Sequence, residues 1–144
     1  MIIYNRPYVF LPMNAIVISY TDAHGFVPSI NNIIYEVKLP VALLPKVELL
    51  LEEMLLNIFI HGYECRALET VLLRFFIIEN KLYLFFYDKG IAFNLFKTNQ
   101  LNEVNCMSEV AIRGNGIKLV KAISDTCRYK NKNNVNINLL VLKL

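Results

Sequence analysis

Three polar residues interrupt the most apolar stretch of the sequence. Glu53, Asn57 and His61 stand at i, i+4 and i+8, a spacing that drifts by only about 80° and keeps them on one stripe of a helix. Around them lie Leu49, Leu50, Leu51, Met54, Leu55, Leu56, Ile58, Phe59 and Ile60. A helix apolar over so much of its circumference is largely buried. Its polar stripe must then face something that satisfies a carboxylate, an amide and an imidazole. Neighbouring backbone and water would do this, and so would a ligand site. Glu52 lies about 140° from Asn57 and falls off the stripe.

Two further segments carry chemistry. Asp88-Lys89-Gly90-Ile91-Ala92-Phe93 follows a β-rich run. An acid and a glycine at a strand end make either an ordinary turn or a buried carboxylate that accepts from an exocyclic amine. In the second case Gly90 lets a flat ligand approach the backbone. Arg113-Gly114-Asn115-Gly116 precedes an apolar, helix-forming stretch. Glycines opening a helix leave N–H groups that suit phosphate. The segment matches neither the P-loop nor the dinucleotide fingerprint, since the lysine-serine end and the third glycine are missing.

The elements that must position these residues follow from local pattern. Residues 33–39 alternate as a strand ending at Pro40. A helix is expected over 43–62, with Pro45 in its first turn and Gly62 at its end. Residues 70–78 and 81–87 form a hairpin around Glu79-Asn80. A helix is expected over 117–124, then a final hairpin of 126–130 and 135–144 around the asparagine-rich turn at 131–134. Residues 8–11 read as a strand and 13–24 as a helix or a further strand. This order predicts an α/β (α+β) fold, a two-layer sandwich of a mixed, mostly antiparallel sheet with helices on one face.

Composition sets the outer bounds. The chain has 144 residues, 56% hydrophobic and 19% charged, with 9 Phe and 8 Tyr, which is one domain with a substantial core and not a disordered chain. Its net charge is +3 without a basic stripe, so no direct nucleic-acid contact is expected. Mean hydropathy is +0.41, yet the densest stretch, 41–60, carries Lys46, Glu48, Glu52, Glu53 and Asn57. A span needs roughly 18 apolar residues with almost no charge, so none is expected. Part of the surplus is free to cover a partner or dimer surface. Cys65, Cys106 and Cys127 lack metal-ligand spacing and read as reduced thiols; with no signal-peptide layout at the start, a cytoplasmic location is expected.

Taken in order, Glu-x3-Asn-x3-His-Gly-Tyr, Asp-x-Gly-x-x-Phe and Gly-x-Gly-x-x-Leu resemble the boxes of the GHKL (Bergerat-type) ATPase superfamily, which has the histidine-kinase-like ATPase fold. His61-Gly62-Tyr63, the Asp88 to Phe93 wording and the compact loop before Arg113 are most similar to its anti-sigma-factor serine/threonine kinases. Ser124-Asp125-Thr126-Cys127-Arg128-Tyr129 and Asn134-Val135-Asn136-Ile137-Asn138-Leu139 extend the likeness, which covers about residues 33–144. The whole chain is then a single ATP-binding kinase-like domain with 1–32 poorly matched.

The resemblance implies ATP and Mg²⁺ as cofactors. Asn57 would ligate the metal and Glu53 would be the catalytic general base. Asp88 would hold the adenine amine, with Gly90 giving room for the ring and Phe93 closing its motif beside it. Gly114, Asn115 and Gly116 would offer N–H groups to the phosphates, and Arg113, at the end of an ATP lid over 94–113, would neutralise their charge. Asn134 would reach the adenine side, and His61 would be a structural group. The implied partners are an anti-sigma-factor antagonist protein, phosphorylated on serine or threonine, a sigma factor, and a second copy in a homodimer. The same boxes also fit a non-catalytic, ATP-dependent switch module or a slow ATPase of a larger assembly. A histidine kinase is disfavoured, because no phosphoacceptor helix hairpin fits before residue 33.

Overall fold

The computed structural model describes residues 14–19, 35, 38–66, 69–97 and 116–144. Five strands form one sheet in the order β1-β2-β3-β5-β4: β1 Asn14–Ser19, β2 Thr70–Ile78, β3 Lys81–Asp88, β4 Thr126–Lys132 and β5 Val135–Lys143. Every described pairing is antiparallel. Among the described residues, the α-helices α1 Leu44–Asn57 and α2 Gly116–Ile123 pack with each other and close the core. The fold is the expected α+β arrangement.

Both hairpins close through two-residue turns in the left-handed region. Glu79 and Asn80 have φ of 46° and 60°, and Asn133 and Asn134 have 52° and 60°. That geometry matches the twist of antiparallel strands, and asparagine adopts it readily. Along β3 the pleat sends Leu82, Leu84, Phe86 and Asp88 inward, all buried. They meet Leu73 and Phe75 of β2 and Leu140 and Leu142 of β5. Val47, Leu50, Leu51, Met54 and Leu55 of α1 complete this core.

The opposite face of the sheet holds part of the surplus hydropathy. Phe76 stacks on Tyr83 and Phe85 at centroid distances of 5.0 and 5.9 Å. Phe85 stacks on Tyr87, over which the Arg74 guanidinium lies at 5.4 Å. Cross-strand pairs of this kind stabilise sheets.

Several expectations are modified. A 3₁₀ turn, Val41–Leu43, precedes α1, and the predicted helical end winds as a π turn, Ile58–Gly62. The ambiguous segment at 13–24 contains β1, while 8–11 lies outside the described residues. The strand expected at 33–39 is interrupted: Tyr35 is helical, and Lys38 turns with φ 49°, a conformation that ends an extended run. Residues 33, 34, 36 and 37 lie outside the described residues, and Leu39 is buried without strand structure. Cys65 is disulfide-bonded, which corrects the reading of three reduced thiols; Cys127 is free. No helix among the described residues is long and apolar enough to cross a membrane.

Candidate functional site

The site begins where α1 ends. Glu53 and Asn57 are both buried on the predicted stripe. The Asn57 Nδ2 donates to the Glu53 carbonyl at 2.6 Å, which commits the amide nitrogen and leaves Oδ1 as the donor atom for a hard cation. Gly116, the first residue of α2, is packed against both side chains. A Cβ there would collide with Glu53 Oε2 and stand 3.2 Å from Asn57 Nδ2. Packing thus joins the first and third sequence motifs.

The second motif joins them from the sheet. Asp88, the last residue of β3, is buried directly opposite Asn136 of β5. Its Oδ1 accepts from the Gly90 N–H at 2.9 Å and from Asn136 Nδ2 at 2.8 Å. Oδ2 is the oxygen left for a ligand. Burial raises the Asp88 pKa, against the lowering effect of those two hydrogen bonds. The Ile91 N–H then donates to the Gly62 carbonyl at 2.8 Å, and the Tyr63 hydroxyl donates to the Thr70 carbonyl while accepting from the Lys89 N–H. These bonds fasten the strand-end loop to the end of the helix.

Between them lies a small cavity lined by Ile58, Gly62, Asp88, Ile91, Phe93, Leu95, Asn136 and Asn138. Its walls are apolar apart from one carboxylate and two amides, the make-up of a site for a flat heterocycle. Ile58, which lines the cavity, follows Asn57 of the Glu53-Asn57-Gly116 cluster directly in the chain. His61 is half-buried, its ring 6.2 Å from that of Phe93, and burial lowers its pKa. It does not line the cavity, and the lowered pKa favours its neutral form.

The predicted site residues fare differently. Glu53, Asn57 and Gly116 meet in one cluster, and Asp88 and Phe93 line the cavity. Gly90 belongs to the site, but protein backbone demands glycine there: a Cβ would stand 2.5 Å from the Gly62 carbonyl oxygen. Asn134 is exposed in the β4–β5 turn and does not line the cavity. Asn136, two residues on, faces Asp88 because the pleat alternates from the turn inward. Arg113, Gly114, Asn115 and residues 98–112 of the expected lid lie outside the described residues. Sequence reading missed Asn136, Asn138 and Tyr63. Asparagines at alternate positions of an otherwise apolar strand were the available signal for the first two.

The residues present fit a nucleotide and its cation. An amide oxygen and a carboxylate adjoin a helix opened by glycine, and Asn138, which lines the cavity, has a side-chain oxygen without a hydrogen-bond partner. No characterised protein matches the chain in sequence. Among solved structures the chain is similar to the Acinetobacter baumannii histidine kinase AdeS, with 12% identity, 90% of this chain and 67% of that chain covered, and a TM-score of 0.49. The model of the histidine kinase-like ATPase domain matches residues 22–142. The chain therefore belongs to the histidine kinase-like ATPase domains, an ATP-binding family of the GHKL type.

Proposed function

We propose that this protein is a Mg-ATP-dependent serine/threonine protein kinase of the anti-sigma-factor type. Its acceptor is a small antagonist protein, its second partner is a sigma factor, and it acts in the cytoplasm. The observation that carries this reading is the packing of Gly116 against the Glu53 carboxylate and the Asn57 amide, beside the cavity that Asp88 lines.

In this reading Asp88 Oδ2 accepts from the adenine amine while Gly90 and Asn136 hold the carboxylate in place. The Asn57 Oδ1 would be a magnesium ligand, and the N-terminal N–H groups of α2 would serve phosphate oxygens. Magnesium, when bound, offsets charge on the transferring phosphoryl group. Glu53 orients the acceptor hydroxyl and takes its proton as the oxygen–phosphorus bond forms and the bond to the ADP oxygen breaks.

The test is incubation of the full chain with labelled ATP, Mg²⁺ and candidate antagonist proteins. Label is expected on a serine or threonine of one of them. Glu53→Gln should keep thermal stabilisation by Mg-ATP yet transfer about 10²- to 10⁴-fold more slowly, the range for losing a positioned base. Transfer at the wild-type rate by Glu53→Gln would remove Glu53 from that role. Label released only as free phosphate would replace the kinase with a slow ATPase, and binding without turnover would leave a switch module.

A further inference from the structure

Asn138 is only 1% exposed, and its side-chain oxygen has no hydrogen-bond partner. Nearly every buried polar atom in a folded protein is paired, so such an atom calls for a physical cause. The residue lies on the inner face of β5, opposite Phe86 of β3 and Tyr129 of β4. It lines the same cavity as Asp88. An apolar side chain would floor that cavity without leaving an amide unpaired.

Its neighbour Asn136 is already spent. Asn136 Oδ1 accepts from the Tyr129 hydroxyl at 2.7 Å and from Asn131 Nδ2 at 2.9 Å. Its Nδ2 donates to Asp88 Oδ1 and to the carbonyls of Gly90 and Ile91. Asn136 is therefore a brace, and it has no polar valence left for a ligand. On two of the residues that line the cavity an acceptor oxygen has no hydrogen bond, Asp88 Oδ2 and Asn138 Oδ1. A primary amine on a flat ring carries two hydrogens and can satisfy one acceptor with each.

We propose that Asn138 is a base-reading residue, whose Oδ1 accepts one hydrogen of the exocyclic amine while Asp88 Oδ2 accepts the other. This rests on the nucleotide-binding reading above and adds a specificity determinant to it. Two acceptors that share one amine favour a 6-amino purine. They repel a 6-keto purine, whose oxygen would face them without a proton. A purine lacking the substituent leaves both unpaired.

The experiment is calorimetric titration of the full chain with Mg-ATP, Mg-ITP and the magnesium complex of purine riboside 5′-triphosphate, which has no 6-amine. Asn138→Leu and the smaller Asn138→Ala are compared with wild type, each also melted without nucleotide. Affinity of the variants for ATP should fall about tenfold, a typical loss for one buried hydrogen bond, and affinity for the amine-free analogue by less than about threefold. Without nucleotide, Asn138→Leu should melt at or above the wild-type temperature, because an unpaired buried amide is gone. An equal loss for both nucleotides with a lower melting temperature would make Asn138 purely structural and overturn the inference. Unchanged ATP affinity in both variants would overturn it as well, with the nucleotide reading intact. If wild-type protein takes up none of the three nucleotides, the nucleotide reading itself fails and Asn138 with it.

Discussion

The crossing of two glycines offers the sharpest test of how the site is built. At Gly90 an added Cβ would stand 2.5 Å from the Gly62 carbonyl oxygen, 2.6 Å from its carbonyl carbon and 2.8 Å from its Cα. Ordinary carbon contacts lie at about 3.5–4.0 Å, so the strand-end loop and the π turn must separate by roughly 1 Å. No side-chain rotation relieves this, because all three atoms are backbone. Separation also stretches the 2.8 Å bond from the Ile91 N–H to the Gly62 carbonyl.

Overpacking costs about 1–3 kcal/mol and a lost hydrogen bond about 0.5–1.5 kcal/mol. Gly90→Ala should therefore destabilise the protein by about 2–4 kcal/mol, or roughly 6–12 °C in Tm for a chain of this size. At Gly62 the added Cβ meets Asp88 Oδ1 at 3.6 Å and Ile58 Cγ2 at 3.8 Å, which are ordinary contacts. Gly62→Ala should be neutral or slightly stabilising, since alanine loses less backbone entropy in a helical turn. It narrows the cavity beside Asp88, so nucleotide affinity should fall. Thermal melts and nucleotide titrations of the two variants check both limbs. Equal Tm losses in the pair, or a Gly90→Ala protein within about 1 kcal/mol of wild type, would refute the crossing.

Two further outcomes follow from the hydrogen bonds around Asp88. Its pKa is raised by burial above the ordinary 3.8, so at neutral pH the ionised carboxylate opposes folding, and that penalty fades as pH drops through the raised value. In the window down to 3.8, apo stability of wild type should gain relative to Asp88→Asn while ATP affinity falls; parallel changes in the two quantities would contradict this. Asn136→Ala strips one donor from Asp88 and a brace from the Gly90 and Ile91 carbonyls. It should cost about 2–4 kcal/mol in urea denaturation, and a loss below about 1 kcal/mol would show that the brace is dispensable.

Much of the framework was legible along the chain. The β2–β3 hairpin, with its Glu79-Asn80 turn, lies where alternation and turn chemistry put it, and so do α1 and the β4–β5 hairpin. These elements obey local rules, since period and turn residues act within a few positions. Lys38 and the π turn after Asn57 escaped notice because a single backbone angle or one extra residue in a helical turn leaves no periodic trace. Asn134 was chosen over Asn136 for a related reason. A strand's alternation is visible in sequence, but which phase faces the core depends on the partner strand.

The sequence by itself determined which residue types were available for chemistry: a carboxylate and an amide on one helical stripe, an acid at a strand end, and glycines ahead of a helix. Their local order already resembled a nucleotide-binding family. Only the tertiary structure decided which atoms remain available to a ligand. Asp88 Oδ1, both ends of the Asn136 amide and the space at Gly90 are consumed by partners between 2 and 48 positions away. Asn138 Oδ1 is left over. Hydrogen-bond valence is allotted among groups that meet in space, and the long-range partners meet only once the sheet has paired β3 with β5.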